Sequence, residues 1–179
     1  MRTRLVLLFA GCLLISSLQA GVQSSSAKSD ASGTPDTYVA YWDDVSSQAF
    51  TAAALSPAEG HVIFAYVAIA VYDSVTAIKG GHEQFAVDMD APDGASAGAA
   101  VIGAASTILE HYLPAQAAMV GAARTASLLT IPDGAAKTNG LAAGDAVAEL
   151  LIAQRADDGF RASDIYTPPS PPIPGVWLP

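Results

Sequence analysis

The stretch Ser56–Gly81 constrains the fold of this chain most, because it carries the start and stop signals of one long, apolar helix. Ser56 is a residue type that caps helix N-termini, Pro57 suits the first turn, and Glu59 is placed to reach back to the cap. A lysine followed by two glycines predicts the end of the helix.

Apolar side chains recur at helical spacing inside this stretch, and its other faces are also mostly apolar. The recurring positions are Val62, Ala65, Tyr66, Ile69 and Tyr72. A helix that is apolar on nearly all sides is typical of the centre of a bundle. We therefore expect a buried central helix in an all-α domain, and the residue pattern alone predicts no activity.

The composition indicates one globular domain and excludes two classes of partner. The chain has 179 residues, of which 51% are hydrophobic and 14% are charged, which is enough apolar content for a packed core. The formal net charge is −9. Nucleic acid and anionic membrane surfaces are excluded as partners, because either would require a basic face.

Residues 1–20 are typical of a signal peptide. Arg2 and Arg4 precede a short apolar run, Leu5–Ile15, and small residues follow it. The run is too short for a lasting membrane span, so we expect a secreted or periplasmic protein. Lipidation at Cys12 is the alternative, although the residues around it fit that signal less well. Cleavage after residue 20 would remove the only cysteine, leaving the mature chain without disulfides.

The remaining chain divides into three predicted parts. Residues 21–37 are rich in Ser, Ala, Gly and Asp and read as a disordered linker. Residues 38–160 form the helical bundle, and residues 161–179 form an extended, Pro-rich tail that includes Trp177. Such a rigid tail normally packs along another surface.

Besides the Ser56 helix, the bundle region contains four further predicted helices. They run over about Thr37–Leu55, Ala95–Tyr112, Pro114–Leu129 and Ala135–Arg155. Short loops join them, which favours antiparallel neighbours. The predicted fold is therefore an antiparallel bundle of about five helices with an extended C-terminal strap.

The loop Gly81–Gly94 carries acids at a spacing that suggests calcium. The acids are Asp88, Asp90 and Asp93. In a calcium-binding loop of the EF-hand type, acids alternate and a glutamate stands at the twelfth position. Here Pro92 displaces the third acid and Ala99 stands twelfth, so a solvated acidic loop is the favoured interpretation.

No other residue pattern predicts a catalytic or metal site. His61, His82 and His111 are not three or four residues apart, so no helical metal pair exists. Asp73, inside the apolar helix, is either a buried structural acid or a catalytic carboxylate, and the first is favoured because no partner base is in view. No phosphate-binding loop or nucleophile elbow occurs, and the basic residues are scattered. We therefore predict no catalytic, cofactor-binding or metal-ligating residue.

Three segments taken together resemble one family. They are residues 65–78 (AYVAIAVYDSVTAI), 148–159 (AELLIAQRADDG) and 166–177 (YTPPSPPIPGVW). Their order and separation resemble the N-terminal half of the vanadium-dependent haloperoxidase-like proteins, which belong to the type 2 phosphatidic acid phosphatase superfamily. Trp42 and the Tyr112-Leu-Pro motif fit the same pattern. By this resemblance, Asp73 and the helix end at Arg155 match positions that have a structural role in the family.

The resemblance implies a helical fold and, in intact family members, an oxyanion pocket for vanadate or phosphate. That pocket is built by a lysine, two arginines, a Pro-Ser-Gly-His turn and a second histidine. None of these motifs occurs here, since Ser170 is followed by proline and the sequence stops where the catalytic half is expected. The resemblance thus implies an exported scaffold that is inactive alone and has no cofactor of its own. Its expected partners are a missing C-terminal catalytic half or a second copy of itself. A stand-alone secreted binding module is the alternative.

Overall fold

The computed structural model describes residues 35–162 and 167–176, and these residues form an all-α bundle. The α-helices are α1 (Pro35–Ala52), α2 (Pro57–Lys79), α3 (Ala97–Tyr112), α4 (Ala117–Leu128) and α5 (Ala135–Arg155). A short 3-10 turn, Pro114–Gln116, precedes α4. The described residues contain no strand, and the predicted fold class is confirmed. The predicted signal peptide, residues 21–34 of the linker, and Trp177 lie outside the described residues.

The helix ends follow the local signals closely. The backbone N–H of Glu59 donates to Ser56 Oγ, and α2 ends at Lys79, where it is capped by Gly80 with a φ of 65°. Helix α5 has the predicted bounds. Helix α1 begins at Pro35 and therefore includes the last three residues of the predicted linker. Helix α1 starts earlier than predicted because proline is well suited to a first helical turn.

The centre of the bundle is α3, and the prediction that α2 is central was wrong. Twelve of the sixteen residues of α3 are buried, against ten of the twenty-three residues of α2. Helix α3 packs against each of the other four α-helices. Most of its buried residues are Gly and Ala, so neighbouring helices can approach it on every side. One face of α2 lies at the surface, where Ala65 and Ala68 are exposed and Tyr72 is 44% exposed.

Among the described helices, α2 alone has the length and apolar composition of a membrane span. Of its most apolar window, 56% is buried inside the bundle. Burial of this extent is the ordinary behaviour of a core helix, since a span would turn its apolar sides to lipid.

Glycines hold α3 and α5 in very close contact. A Cβ placed on Gly144 would lie 2.1 Å from the carbonyl oxygen of Ala100, and one on Gly140 would lie 2.1 Å from that of Ser96. On the facing helix, a Cβ on Gly103 would lie 2.7 Å from the carbonyl oxygen of Leu141. The two backbones therefore touch along a seam where no side chain fits.

Replacing Gly144→Ala should destabilise the protein by about 3 kcal/mol or more, because the new methyl meets backbone that can move only by separating two helices. Urea unfolding followed by circular dichroism measures the loss. The matched control is Gly121→Ala in α4, where the nearest atom would be 3.9 Å away. That variant should gain up to about 1 kcal/mol from helix propensity. Equal stability of the two variants would contradict the close seam.

Candidate functional site

Asp73 lies fully buried near the C-terminal end of α2 and binds the loop that follows. Its Oδ1 accepts the backbone N–H of Phe85 at 2.6 Å, and its Oδ2 accepts those of Ala86 and Val87 at 2.9 Å each. Three consecutive N–H groups form a concave donor set that suits an anion. The carboxylate fills it, so the predicted buried, hydrogen-bonded acid is confirmed.

Further hydrogen bonds fix the same loop. The Gln84 side chain bridges the loop by accepting from the N–H of Met89 and donating to its carbonyl. Tyr72 Oη donates to the carbonyl of Glu83 at 2.9 Å. From α5, the Gln154 amide donates to the carbonyl of Ala86 at 3.1 Å. These hydrogen bonds attach the loop to both α2 and α5, so the loop is a structural part of the fold.

A second cluster joins α2, α3 and the end of α5 through aromatic rings. The rings of Tyr66 and Tyr112 lie 5.1 Å apart between centroids, and Phe160 packs edge-on against both. Tyr66 Oη donates to Asp158 Oδ2, and the N–H of Phe160 donates to Asp158 Oδ1. Two residues of the 148–159 and 65–78 segments, Asp158 and Tyr66, are thus bonded directly.

Arg161 fastens this cluster to the first turn of α2. Its Nε donates to Glu59 Oε1 at 3.1 Å, and its Nη1 donates to the carbonyl of Tyr112 at 3.0 Å. The guanidinium lies 5.1 Å from the centroid of the Phe160 ring, within cation–π range. Arg161 adopts a φ of 62°, a left-handed conformation that costs energy for any residue with a side chain. These contacts compensate for that strain.

The environment of the cluster changes the proton affinity of its groups. Burial, and then the hydrogen bond to Asp158 and its negative charge, raise the pKa of Tyr66 to about 12. Burial is also the main reason that the pKa of Tyr112 is raised. The bond from Tyr66 and the N–H of Phe160 lower the pKa of Asp158. Tyr66 is therefore a donor that stays protonated at neutral pH.

Three cations of the described residues, Arg124, Lys137 and Arg161, are held in ion pairs. Arg124 Nη2 is 2.7 Å from Asp145 Oδ2 between α4 and α5, and Arg124 Nη1 also donates to Ser106 Oγ of α3 at 2.7 Å. Lys137 pairs with Asp133, and Arg161 pairs with Glu59. These ion pairs lie at separate places, and each base has its own carboxylate. The three pairs thus form no common anion-binding cradle.

The three histidines also lie apart. His61 borders a cleft at the N-terminal end of α2, His82 borders a groove at its other end, and His111 lies against the Tyr112 ring on α3. All three are exposed, as are Asp88, Asp90 and Asp93 of the acidic loop. Within residues 35–162 and 167–176, no three His, Cys, Asp or Glu side chains are grouped to hold a metal ion.

The outer face of α2 is apolar and uncovered in the described residues. Ile69 and Tyr72 line a groove with Phe85, whose side chain is 72% exposed. Tyr72 and Ala68 form a ridge between this groove and a second one that α1 borders. Exposed apolar patches with polar surroundings mark binding surfaces when they are large and contiguous. We call this surface, made by Ala68, Ile69, Tyr72 and Phe85, the outer α2 face.

The substitution Asp73→Asn should destabilise the protein by about 3–5 kcal/mol, because all three hydrogen bonds lose their charge assistance and an NH2 group replaces one acceptor oxygen, facing a backbone N–H donor. Chemical denaturation gives the change in the free energy of unfolding. Asp88→Asn, an exposed acid of the same loop, is the control and should change stability by less than about 0.5 kcal/mol. A small effect of both variants would show that the loop does not depend on this carboxylate.

Stability should fall as the pH rises from 10 to 12, because Tyr66 ionises near 10.0 in the unfolded chain and at about 12 in the folded chain. Below pH 10 the tyrosine is protonated in both states, and the contribution is fully present. Tyr66→Phe should remove this part of the pH dependence, whereas Tyr41→Phe, an exposed tyrosine of α1, should retain it. Unfolding free energies at pH 9 and pH 11 provide the measurement. Identical slopes in both variants would contradict the assignment.

Sequence reasoning identified Asp73 but missed both of the polar clusters that join distant helices. The spacing of Arg124, Asp145 and Thr107 gives no sequence signal, and neither does the pairing of Tyr66 with Asp158. Both arise only when helices meet across the bundle. Comparison of the chain with protein-family models, curated proteins and solved structures found no match.

Proposed function

We propose that this chain is the exported helical scaffold of a vanadium-dependent haloperoxidase-like protein of the type 2 phosphatidic acid phosphatase superfamily. Its role is to support an oxyanion-binding half encoded by residues outside this sequence, and it is inactive alone. The resemblance of segments 65–78, 148–159 and 166–177 supports this assignment. The roles of residues in the first two segments also support it, because Asp73, Tyr66 and Asp158 all hold the fold together.

The observation that carries the proposal is the uncovered outer α2 face. A 23-residue helix of such apolar composition normally buries its long side chains, yet Tyr72 of α2 is 44% exposed. Phe85 of the following loop lines the same groove and is 72% exposed. Covering such a patch with apolar surface is favourable by about 25 cal/mol per Å². A companion half that packs here would complete the apolar packing around α2. Self-association through the same face is the second way to cover it.

The electrostatics of the described residues support inactivity of the chain alone. An oxyanion pocket of this kind needs several cations and histidine donors directed at one point. Here Arg124 and Arg161 are each bound to a carboxylate, and the described histidines lie at three different places. Vanadate chemistry would therefore require the companion half.

The alternative function is a stand-alone secreted binding module. The specific observation in its favour is that Ile173 and Val176 of the Pro-rich tail are 55% and 39% exposed, as expected of a segment available for docking. The two readings differ in what the outer α2 face does. In the scaffold proposal, this face binds a companion half of the same enzyme. In the binding-module alternative, it takes no part in catalysis.

The purified chain should show neither halide oxidation with hydrogen peroxide and vanadate nor hydrolysis of a phosphate monoester. An intact haloperoxidase assayed in the same buffers provides the positive control. Turnover above a protein-free blank would overturn the scaffold proposal. Addition of a separately expressed segment that carries a Pro-Ser-Gly-His turn should produce turnover. A stand-alone binding module would show no turnover after the same addition.

The outer α2 face is tested with Nile red, a neutral dye whose emission rises on apolar surfaces. The wild-type chain should bind it, and Phe85→Ser should lower the emission by about twofold because it removes the most exposed ring of the patch. Leu129→Ser is the matched control, since Leu129 is 80% exposed and borders neither groove of α2. Equal emission from the two variants would show that the face is not a continuous apolar patch.

A further inference from the structure

A cleft lies between the C-terminal end of α1 and the first turns of α2, and it shares no lining residue with the outer α2 face. Its volume is about 420 Å³, within the range of small-molecule sites. The rings of Phe50 and Phe64 both line it, with centroids 6.2 Å apart and an interplanar angle of 73°. A Cβ on Gly60 would lie 3.8 Å from Phe50 Cδ2, so the missing side chain leaves space beside that ring.

The turn that closes this cleft is strained and hydrogen-bonded. Ala54 has a φ of 50°, in the left-handed region that glycine normally occupies at a helix end. The N–H of Ala54 donates to the carbonyl of Thr51 at 3.1 Å. The N–H of Leu55 donates to the carbonyl of Phe50 at 3.2 Å. Together these bonds form a Schellman motif, which turns the chain so that Leu55 and Phe50 line the same cleft. The cleft is therefore shaped by the backbone before any ligand arrives.

The hydroxyl groups that line the cleft offer lone pairs to a ligand, because their hydrogens are already used within the protein. The hydroxyl of Ser47 donates to the carbonyl of Asp43 at 3.0 Å, and that of Thr51 donates to the carbonyl of Ser47 at 2.9 Å. The hydroxyl of Ser56 donates to Glu59 Oε2 at 3.4 Å. A hydroxyl that has donated its hydrogen still has acceptor capacity.

His61 also lines the cleft and is also an acceptor. Its Nδ1 is hydrogen-bonded to the carbonyl oxygen of Pro57. Because a carbonyl oxygen can only accept, Nδ1 carries the hydrogen, and in the neutral ring Nε2 carries the lone pair. The side chains of all four polar residues of the cleft therefore favour a ligand that donates hydrogen bonds.

Charge favours a cationic ligand over an anionic one. None of the described residues that line the cleft is Lys or Arg, and the whole chain has a net charge of −9, which attracts cations and repels anions. Aromatic rings such as those of Phe50 and Phe64 also attract a cation. A primary ammonium group combines a positive charge with three N–H donors.

We propose that this cleft binds a small primary amine with an apolar body. The ammonium group donates to His61 Nε2 and to the hydroxyl oxygens of the rim, and the apolar body packs against Phe50 and Phe64. This binding site goes beyond the scaffold function and does not depend on it.

Three probes of similar shape test the ligand class by isothermal titration calorimetry at pH 7. They are 2-phenylethylamine, 2-phenylethanol and phenylacetate, which carry an ammonium, a hydroxyl and a carboxylate group. The amine should bind at least about tenfold more tightly than phenylacetate, with the alcohol between them, because only the amine has both the donors and the positive charge. Phenylacetate binding as tightly as the amine, or no saturable binding of the amine, would overturn the proposal.

A pair of glycine variants tests the location. Gly60→Leu fills the space beside Phe50, where a Cβ is at an ordinary contact distance, and should weaken amine binding by about tenfold or more. Gly121→Leu in α4 is the matched control, since the nearest atom to its Cβ would be 3.9 Å away, and it should bind the amine like the wild type. Circular dichroism verifies that both variants are folded. Unchanged affinity of Gly60→Leu would overturn the location.

The wild-type chain provides a measurement that does not depend on any variant. In ¹H–¹⁵N correlation spectra, added 2-phenylethylamine should shift the amide signals of Phe50, Leu55 and Gly60, which line the cleft. Shifts confined to other parts of the chain would overturn the proposal. Catalytic assays play no part in these tests, so their outcome is separate from that of the scaffold proposal.

Discussion

The contact between α3 and α5 sets the geometry on which the rest of the bundle depends. Gly140 and Gly144 bring the α5 backbone against carbonyl groups of Ser96 and Ala100, with no room for a side chain between them. The N–H of Ser96 also donates to the carbonyl of Ala136 at 2.9 Å, which links the first turns of both helices. With these two backbones so close, α3 becomes an axis around which the larger side chains of α1, α2 and α4 pack.

Three charged residues, Asp73, Arg124 and Arg161, hold separate elements of the bundle together. Asp73 fixes the loop after α2, Arg124 connects α4 to α3 and α5, and Arg161 connects the chain after α5 to α2. Asp73 and Arg124 also satisfy part-buried polar partners, which would be costly to leave without hydrogen bonds. These structural contacts are the physical basis on which we propose a supporting role for the chain.

Local signals in the sequence were sufficient for the helices and insufficient for their arrangement. Ser56, Glu59 and the glycines after Lys79 defined α2, because capping depends only on neighbouring residues. The prominence of α2 in the sequence misled the prediction of the centre, since long apolar side chains were given more weight than the Gly and Ala residues of α3. Asp73 was recognisable as a buried acid, but its partners are backbone groups 12 to 14 residues away. Tyr66 and Asp158, 92 residues apart, meet only in the folded bundle.

The three N–H groups of residues 85–87 have a consequence for ion binding. A concavity of consecutive amides is the arrangement that holds phosphate in many nucleotide-binding proteins. Here the anion is the Asp73 carboxylate, which belongs to the same chain. A dissolved ion would have to displace a carboxylate that is covalently held beside the N–H groups. Added phosphate or vanadate would therefore meet N–H groups that already donate to the Asp73 carboxylate, which takes the place of a bound anion.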